Sequence, residues 1–371
     1  MSIKVMVLIT ASAGGGAESF VLDCAGRHTA AVEPTVVTLR RGNAEEIFAA
    51  ACGRANVEYI SLDRKSKFSF GAIGQLAQIV RRKGIGVVHA HLIEAEFHAW
   101  LLRFLVPSVR LVFTKHNTNP FRKGIAGRLD GLVSRKADAL IAVSESLAGF
   151  LGKHEGIPAG RMTVIPNGIR IDDFAGHISR EESRQRLNLP ADAPVVGIVG
   201  RLTHQKNHRT LLEAVRKAKD TIPALKLLIV GEGELEQELR RAASTLGIGN
   251  DTIFLGFRRD IADIYPAFDM ICLPSLYEGF GRVLVEAALC GAFAIAGDVD
   301  GPREIVRDGT DGFLVTPTDP DALAEKILWV LENPGKAAVM VRSAQERARE
   351  MFDIEQVERR IEKVYAEVPG K

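Results

Sequence analysis

Cysteine is scarce in this sequence and widely scattered. The four residues Cys24, Cys52, Cys272 and Cys290 form no CxxC pair and no other metal-binding spacing, and the last two lie in apolar runs where they read as small buried hydrophobes. A reducing cytosol is the compartment this usage fits. Long apolar runs are missing as well: no stretch approaches the roughly 18–20 residues needed to cross a bilayer, which excludes an integral membrane protein. The opening MSIKVMVLIT holds one Lys and a short apolar run that leads straight into a Gly-rich turn. It reads as a first core strand rather than a secretory signal. An excess of one charge sign is also absent, with 48 Lys and Arg against 46 Asp and Glu, far from the balance of a polyanion binder. Aromatics are sparse at 6%.

What is abundant is glycine, 35 residues of it, in a chain of 371. That length is about twice the usual domain, so two domains are expected. Short Val/Ile/Leu runs alternate with longer helical patterns from end to end, the signature of parallel α/β units whose strands are covered on both faces. Strands are predicted at 4–10, 35–39, 57–60, 86–90, 111–115, 139–143 and 162–165. A second set is predicted at 195–200, 226–230, 252–255, 270–273, 292–296 and 312–315. Each set makes its own doubly wound sheet: residues 1–175 form a first Rossmann-like lobe and residues 190–353 a second. The passage 172–193, with Ser179 and Glu182 as a capping box and LPADAP after it, reads as the join. A tail helix over 354–371, with apolar Ile354, Val357, Ile361 and Val364, is expected to dock on either lobe, the first included. Ligands of such sheets bind beyond the carboxyl ends of the strands, and two facing lobes predict an interdomain cleft as the active site.

In the second lobe the first strand runs into Gly200-Arg201-Leu202-Thr203-His204-Gln205-Lys206. A fork-shaped guanidinium and a mobile ammonium five residues apart, in a turn entering a helix, suit a phosphate clamp; two solvated cations are the plainer reading. After the strand MICL comes Ser275-Leu276-Tyr277-Glu278-Gly279-Phe280-Gly281. Its glycines let backbone approach a ligand, amides at the helix start face outward, and Glu278 can accept from sugar hydroxyls. Glu286 stands in a nearly all-apolar helix, and a buried carboxylate needs partners, which ribose hydroxyls would supply.

These segments resemble the donor lobe of glycosyltransferase family 4, retaining enzymes of the GT-B fold, through a G-R-L…K turn (Gly200, Arg201, Lys206) and an E-x7-E pair (Glu278, Glu286). The likeness continues through 231–240, 254–269 and 300–315, and more loosely over the first lobe. It implies that Arg201 and Lys206 neutralise a departing diphosphate, and that Glu278 and the amides of Gly279, Phe280, Gly281, Arg282 and Val283 hold the donor sugar. It further implies that Glu286 binds ribose, that Gly231 lets the nucleotide lie close, and that Phe257 and Arg258 flank the base. Arg282 departs from the family, where an apolar residue is frequent. The implied activity is retaining transfer of a hexose from a UDP- or GDP-sugar to a glycan or lipid-linked acceptor, as in lipopolysaccharide or cell-surface polysaccharide synthesis. The nucleotide sugar is a co-substrate, and no metal or other cofactor is expected.

The first lobe opens its helix with Gly14-Gly15-Gly16. A dinucleotide fingerprint would need Gly where Ser19 stands, and an acid where the second strand ends in Leu39-Arg40-Arg41, so that reading is weak. The resemblance places Gly15 and Gly16 on the acceptor side. It matches a TxH element to Thr114 and His116, implying a side chain beside the donor sugar; a structural hydrogen bonder is the plainer reading. His89 and His91 share a strand face. They find no third metal ligand at suitable spacing, so structural or acceptor-contact roles suit them better.

Residues 1–175 carry 22 Lys and Arg against 15 Asp and Glu, and the remainder 26 against 31. Basic residues cluster at Arg64, Lys65, Lys67, Arg81, Arg82 and Lys83, and again at Arg122, Lys123, Arg128, Arg135 and Lys136. A solvated helix face explains them; a cytoplasmic protein docking peripherally on anionic lipid is the sharper reading. The rival functions are a nucleotide-sugar epimerase or glycan phosphorylase on the same frame, or a two-lobed solute-binding protein. A phosphorylase calls for a cofactor lysine and a longer chain, and a solute-binding protein for an export signal.

Overall fold

A computed structural model describes residues 2–10, 15–40, 45–62, 69–117, 125–174, 176 and 178–368. Among them the chain divides into two compact units, one comprising Met1–Ile169 with Phe352–Lys371, the other Arg170–Met351.

The first unit holds seven strands: β1 (Ile3–Ile9), β2 (Val32–Thr38), β3 (Glu58–Ser61), β4 (Val87–His91), β5 (Arg110–Lys115), β6 (Ala139–Ala142) and β7 (Met162–Val164). They lie in the order β3-β2-β1-β4-β5-β6-β7, every neighbouring pair parallel. The second holds six: β8 (Val195–Val199), β9 (Lys226–Val230), β10 (Thr252–Gly256), β11 (Met270–Leu273), β12 (Phe293–Gly297) and β13 (Phe313–Val315), in the order β10-β9-β8-β11-β12-β13. All six pair in parallel too. Both orders reverse direction once, between β1 and β4 and between β8 and β11. These are the switch points at which adjacent strand ends diverge and leave a crevice.

Why the strands form is plain from their side chains. Val5, Leu8, Val88, Leu111, Val195, Leu228, Met270 and Ile295 are all buried, so both faces of each central strand are covered by helices. Gly197 has a packing reason: a Cβ there would come within 2.1–2.5 Å of the Phe268 ring. The intervening helices use ordinary stops. Ser69 and Ser144 cap helices Phe70–Lys83 and Glu145–Glu155 by accepting from Ala72 N and Leu147 N, and left-handed Gly84 and Gly156 end them.

The join differs in detail from the expectation. Ser179 Oγ does accept from Glu182 N at 3.1 Å, but the Glu182 carboxylate pairs with Arg186 instead of returning to the cap, so only half of a capping box exists. Helix Arg180–Arg186 is no free linker either. Arg184 is 2% exposed and bonds Asp269 and the carbonyls of Ala267 and Ala191, which binds this polar segment into the second unit. The tail helix Ile354–Glu367 packs in the first unit, its Ile354, Val357, Ile361 and Val364 joining the cluster of Val5, Val7, Phe20 and Ile141. Each such side chain contributes about 1.5–3 kcal/mol by leaving water.

Candidate active site

At the switch point of the second sheet, two loops leave the ends of β8 and β11. The first runs Gly200 to Lys206, closes with a single 3-10 turn at His204–Lys206, and passes through left-handed Asn207 into helix His208–Ala218. The second runs from Ser275 to Gly281 and opens helix Arg282–Leu289, with Gly281 in the left-handed region at φ 97°. Backbone bonds stitch them together: Leu276 N donates to Gln205 O at 2.9 Å, and the Gln205 amide donates to Tyr277 O at 2.9 Å.

That stitching brings Lys206 to Glu278. Their side chains form an ion pair, 14% and 13% exposed, with Ser275 Oγ 3.4 Å from the same carboxylate oxygen. The Lys206 stem lies across Gly200, where a Cβ would stand 3.2 Å from Lys206 Cε. The Glu278 backbone is fixed from the other side, its carbonyl accepting from Gly301 N at 3.0 Å. Arg201 is exposed, and among the described residues its guanidinium meets no carboxylate. Two cations and an acid therefore converge at the carboxyl edge of this sheet, an arrangement suited to an anion with a polar group attached.

Other expectations for this region fare differently. Glu286, for which ribose hydroxyls are the expected partners, already has two within the chain. Arg282 Nε donates to its Oε1 at 2.6 Å, one helical turn away, and Tyr265 OH to its Oε2 at 2.8 Å. Burial and the neighbouring Glu286 push the Tyr265 phenol well above its ordinary range, so it stays a neutral donor. Arg282, the family departure, is thus held by Glu286. Phe280 is 3% exposed, its ring turned into the core, which leaves only its backbone to face a ligand. The room at Gly231 is taken by the chain itself: a Cβ there would lie 2.0 Å from Gly200 O, at φ 136°, because the loop after β9 runs against the loop after β8. Val283 is half-buried. Phe257 is 47% exposed, with its amide 3.3 Å from a Glu232 carboxylate oxygen, and Arg258 pairs with Asp260. Sequence reasoning passed over Gln205, Glu232, Tyr265 and Ser275. Ser275 acts within its own loop, three residues from Glu278; the other three act through contacts 21–72 residues away in the chain that no local pattern announces.

In the first unit, Gly15 caps helix Gly16–Cys24 without a side-chain bond. A Cβ at Gly15 would meet the flexible Glu18 carboxylate, and one at Gly16 would meet nothing within 4 Å. Along β4 and just past β5 lies a group of histidines. His91 Nδ1 lies 2.8 Å from His116 Nε2, and His89 bridges Tyr365 OH and Thr114 Oγ1, each at 2.6 Å. Burial holds His89 and His116 down to about 3 and drives His91 well below its ordinary value. All three rings are neutral near pH 7, each bond pairing a donor with an acceptor. An acceptor-contact role for His91 is not what the structure shows, since β4 is an interior strand and the ring is 2% exposed. The nitrogens of His116 are turned inward, Nε2 to His91 and Nδ1 buried. Of the basic groups, Arg64, Lys65, Lys67, Arg122 and Lys123 lie outside the described residues, as do Gly14 and Arg41.

Two parallel Rossmann-like sheets, with a cationic turn and an acid at the second switch point, define a class that the comparisons confirm. The family model "Glycosyltransferase Family 4" matches residues 14–173 and "Glycosyl transferases group 1" matches 179–347: the chain belongs to the glycosyltransferases of this family, with the GT-B fold. Among individual proteins, it is 28% identical to a D-inositol 3-phosphate glycosyltransferase of Xylanimonas cellulosilytica, over 94% of this chain and 87% of that one. It is also 28% identical to an uncharacterized glycosyltransferase of Methanocaldococcus jannaschii, over 72% and 73%. Crystal structures of Anabaena HepE in complex with UDP and glucose, and with UDP-glucose, superpose with a TM-score of 0.88 at 26% identity, covering 98% of this chain and 99% of that one.

Proposed function

We propose that this glycosyltransferase moves a hexose from a UDP- or GDP-sugar to a glycan or lipid-linked acceptor with retention of configuration, in lipopolysaccharide or cell-surface polysaccharide synthesis. The observation that carries the reading is the Lys206–Glu278 pair beside exposed Arg201 at the second switch point. An arriving diphosphate competes with Glu278 for the Lys206 ammonium and meets the Arg201 fork. The carboxylate so released accepts from hydroxyls of the sugar. As the nucleoside diphosphate departs, negative charge grows on its oxygens while the sugar becomes oxocarbenium-like. The two cations stabilise the first, a contribution of several kcal/mol, so no divalent ion is required. The acceptor attacks from the face the diphosphate leaves, and the leaving phosphate takes its proton. Glu286 keeps lone pairs for a ribose hydroxyl beyond its bonds to Arg282 and Tyr265. The exposed Phe257 ring offers an apolar surface to the base. Gly15, Gly16 and His116 belong to the acceptor side in this reading. Support for UDP as the base comes from the HepE complexes.

A thermal-shift panel of UDP, GDP and ADP tests the donor, because a bound ligand raises stability in proportion to the logarithm of its concentration. UDP should give the largest shift, and proton NMR of the product should show the donor's anomeric configuration. Flat responses to all three nucleotides, or an inverted anomer, count against the proposal.

Lipid-surface docking is part of the same reading. Phe104 and Leu105, 69% and 46% exposed, lie beside Arg81, which donates to Leu105 O at 2.6 Å. Among the described residues no helix is long and apolar enough to cross a membrane. Cosedimentation with anionic but not neutral vesicles is expected; equal, negligible recovery with both rejects it.

A further inference from the structure

A second polar cluster lies within the first unit, where the tail helix meets the turn after helix Gly16–Cys24. His28 Nδ1 stands 3.0 Å from Glu358 Oε2, with the two side chains 6% and 2% exposed. Neither atom makes a hydrogen bond. Glu362, one helical turn beyond Glu358, completes a set of three ligand atoms within 4.8 Å of one another. Both Glu362 oxygens also accept from Thr29, from its amide at 2.6 Å and its hydroxyl at 2.7 Å. His28 and Glu358 line a cavity that reaches Cys24, Tyr365 and His89.

Two features of this cluster are costly as they stand. A carboxylate buried with an unmet oxygen carries a desolvation penalty of about 1–3 kcal/mol or more, and like charges at i and i+4 on a helix repel. Glu355, which precedes Glu358 on the same helix, has Arg27 and Arg359 as counter-ions; among the described residues Glu358 pairs with His28 alone. A divalent cation removes both costs at once. With bonds of about 2.1 Å, ligand atoms 3.0 Å apart subtend about 90–95° at an ion, a compressed but reachable angle. Imidazole with two carboxylates is a donor set for zinc-class ions. Two helical ligands at i and i+4 with a third from another segment is a common way to supply it. The Thr29 bonds would then orient Glu362 from outside the first coordination sphere.

We propose that His28 Nδ1, Glu358 Oε2 and a Glu362 carboxylate oxygen bind one zinc-class divalent ion, clipping the tail helix to the amino-terminal turn. This site is independent of the transfer reaction, in which no ion is invoked, and it ties together segments more than 300 residues apart in the chain. Such a clip restricts the unfolded chain as well as linking the folded one.

The test uses the full chain, stripped with a chelator and dialysed, then given Zn2+ or Co2+ and desalted. Elemental analysis should find one equivalent of zinc retained. Co2+ should develop visible bands of a low-symmetry, nitrogen–oxygen site, and Zn2+ at about 100 times its Kd should raise Tm by about 5 °C or more. His28→Ala and Glu358→Gln should lose retention, bands and shift, while His154→Ala keeps all three. If either variant fails to fold by circular dichroism, Glu362→Gln serves in its place. Wild-type protein that retains no metal and shows no shift overturns the proposal, as does retention equal in wild type and His28→Ala.

Discussion

The two switch points are built on the same topology and filled with opposite chemistry. At the second sheet the loops after β8 and β11 present formal charge: Arg201 exposed, Lys206 and Glu278 paired and partly open to solvent. At the first sheet the end of β4, which borders the switch point, and the end of its neighbour β5 present neutral imidazoles, His91 and His116, hydrogen-bonded to each other and kept uncharged by burial. A shared strand order therefore does not imply interchangeable sites. A charged pair can exchange partners with an incoming anion at little cost. A buried neutral ring hydrogen-bonded to its neighbour offers shape and rigidity instead.

Mutation at the charged point is the strongest way to break this contrast. Lys206→Ala or Glu278→Ala should lower turnover on a nucleotide sugar about 10³-fold, in line with loss of a fixed transition-state donor, with the fold retained by circular dichroism. His116→Ala should cost about tenfold, expressed in kcat more than in KM. Steady-state kinetics on the three variants checks both. Equal losses at Lys206 and His116 would erase the distinction drawn between the sheets, and wild-type turnover in Lys206→Ala would remove the assigned phosphate role.

Much of the frame was legible because it rests on local pattern. Continuous runs such as Val195–Val199 and Lys226–Val230 can only be strands covered on both sides, and all thirteen expected strands are present within a few residues of their predicted ends. The turn at Gly200–Lys206 and the Glu278 loop were legible because glycines and charges stood at strand ends, where ligands bind. What stayed hidden depends on distant chain segments. Nothing near Glu286 announces Tyr265, and nothing near His28 announces Glu358. The polar helix Arg180–Arg186 read as a linker because its contacts, Asp269 and Asp263, lie some 80 residues further on. His91 was read as a possible acceptor contact because alternation on a strand cannot tell a covered face from an open one.

A smaller effect sharpens the same comparison through pH. His89 and His116 are held down to about 3 in the first unit, and His208 to about 4 in the second, each by burial first. An unfolded histidine titrates near 6.5. Where the folded value lies below the unfolded one, the unfolded chain binds more protons. The stability is complete above about pH 6.5 and is lost as pH falls toward the folded value. At pH 5 each such ring costs about 2 kcal/mol, so the first unit loses at least two such contributions and the second loses one. His91 adds to the first with the same sign. Protonation also turns both nitrogens into donors, which breaks whichever bond in the His89–Tyr365 and His91–His116 pairs relied on an acceptor. Amide hydrogen exchange, corrected for intrinsic rates, should therefore show β4 and β5 losing at least about 30-fold more protection than β8 and β11 between pH 7 and pH 5. Equal losses in the two sheets would mean that the imidazole chain is not what separates them, because the other packing forces described here act alike on both.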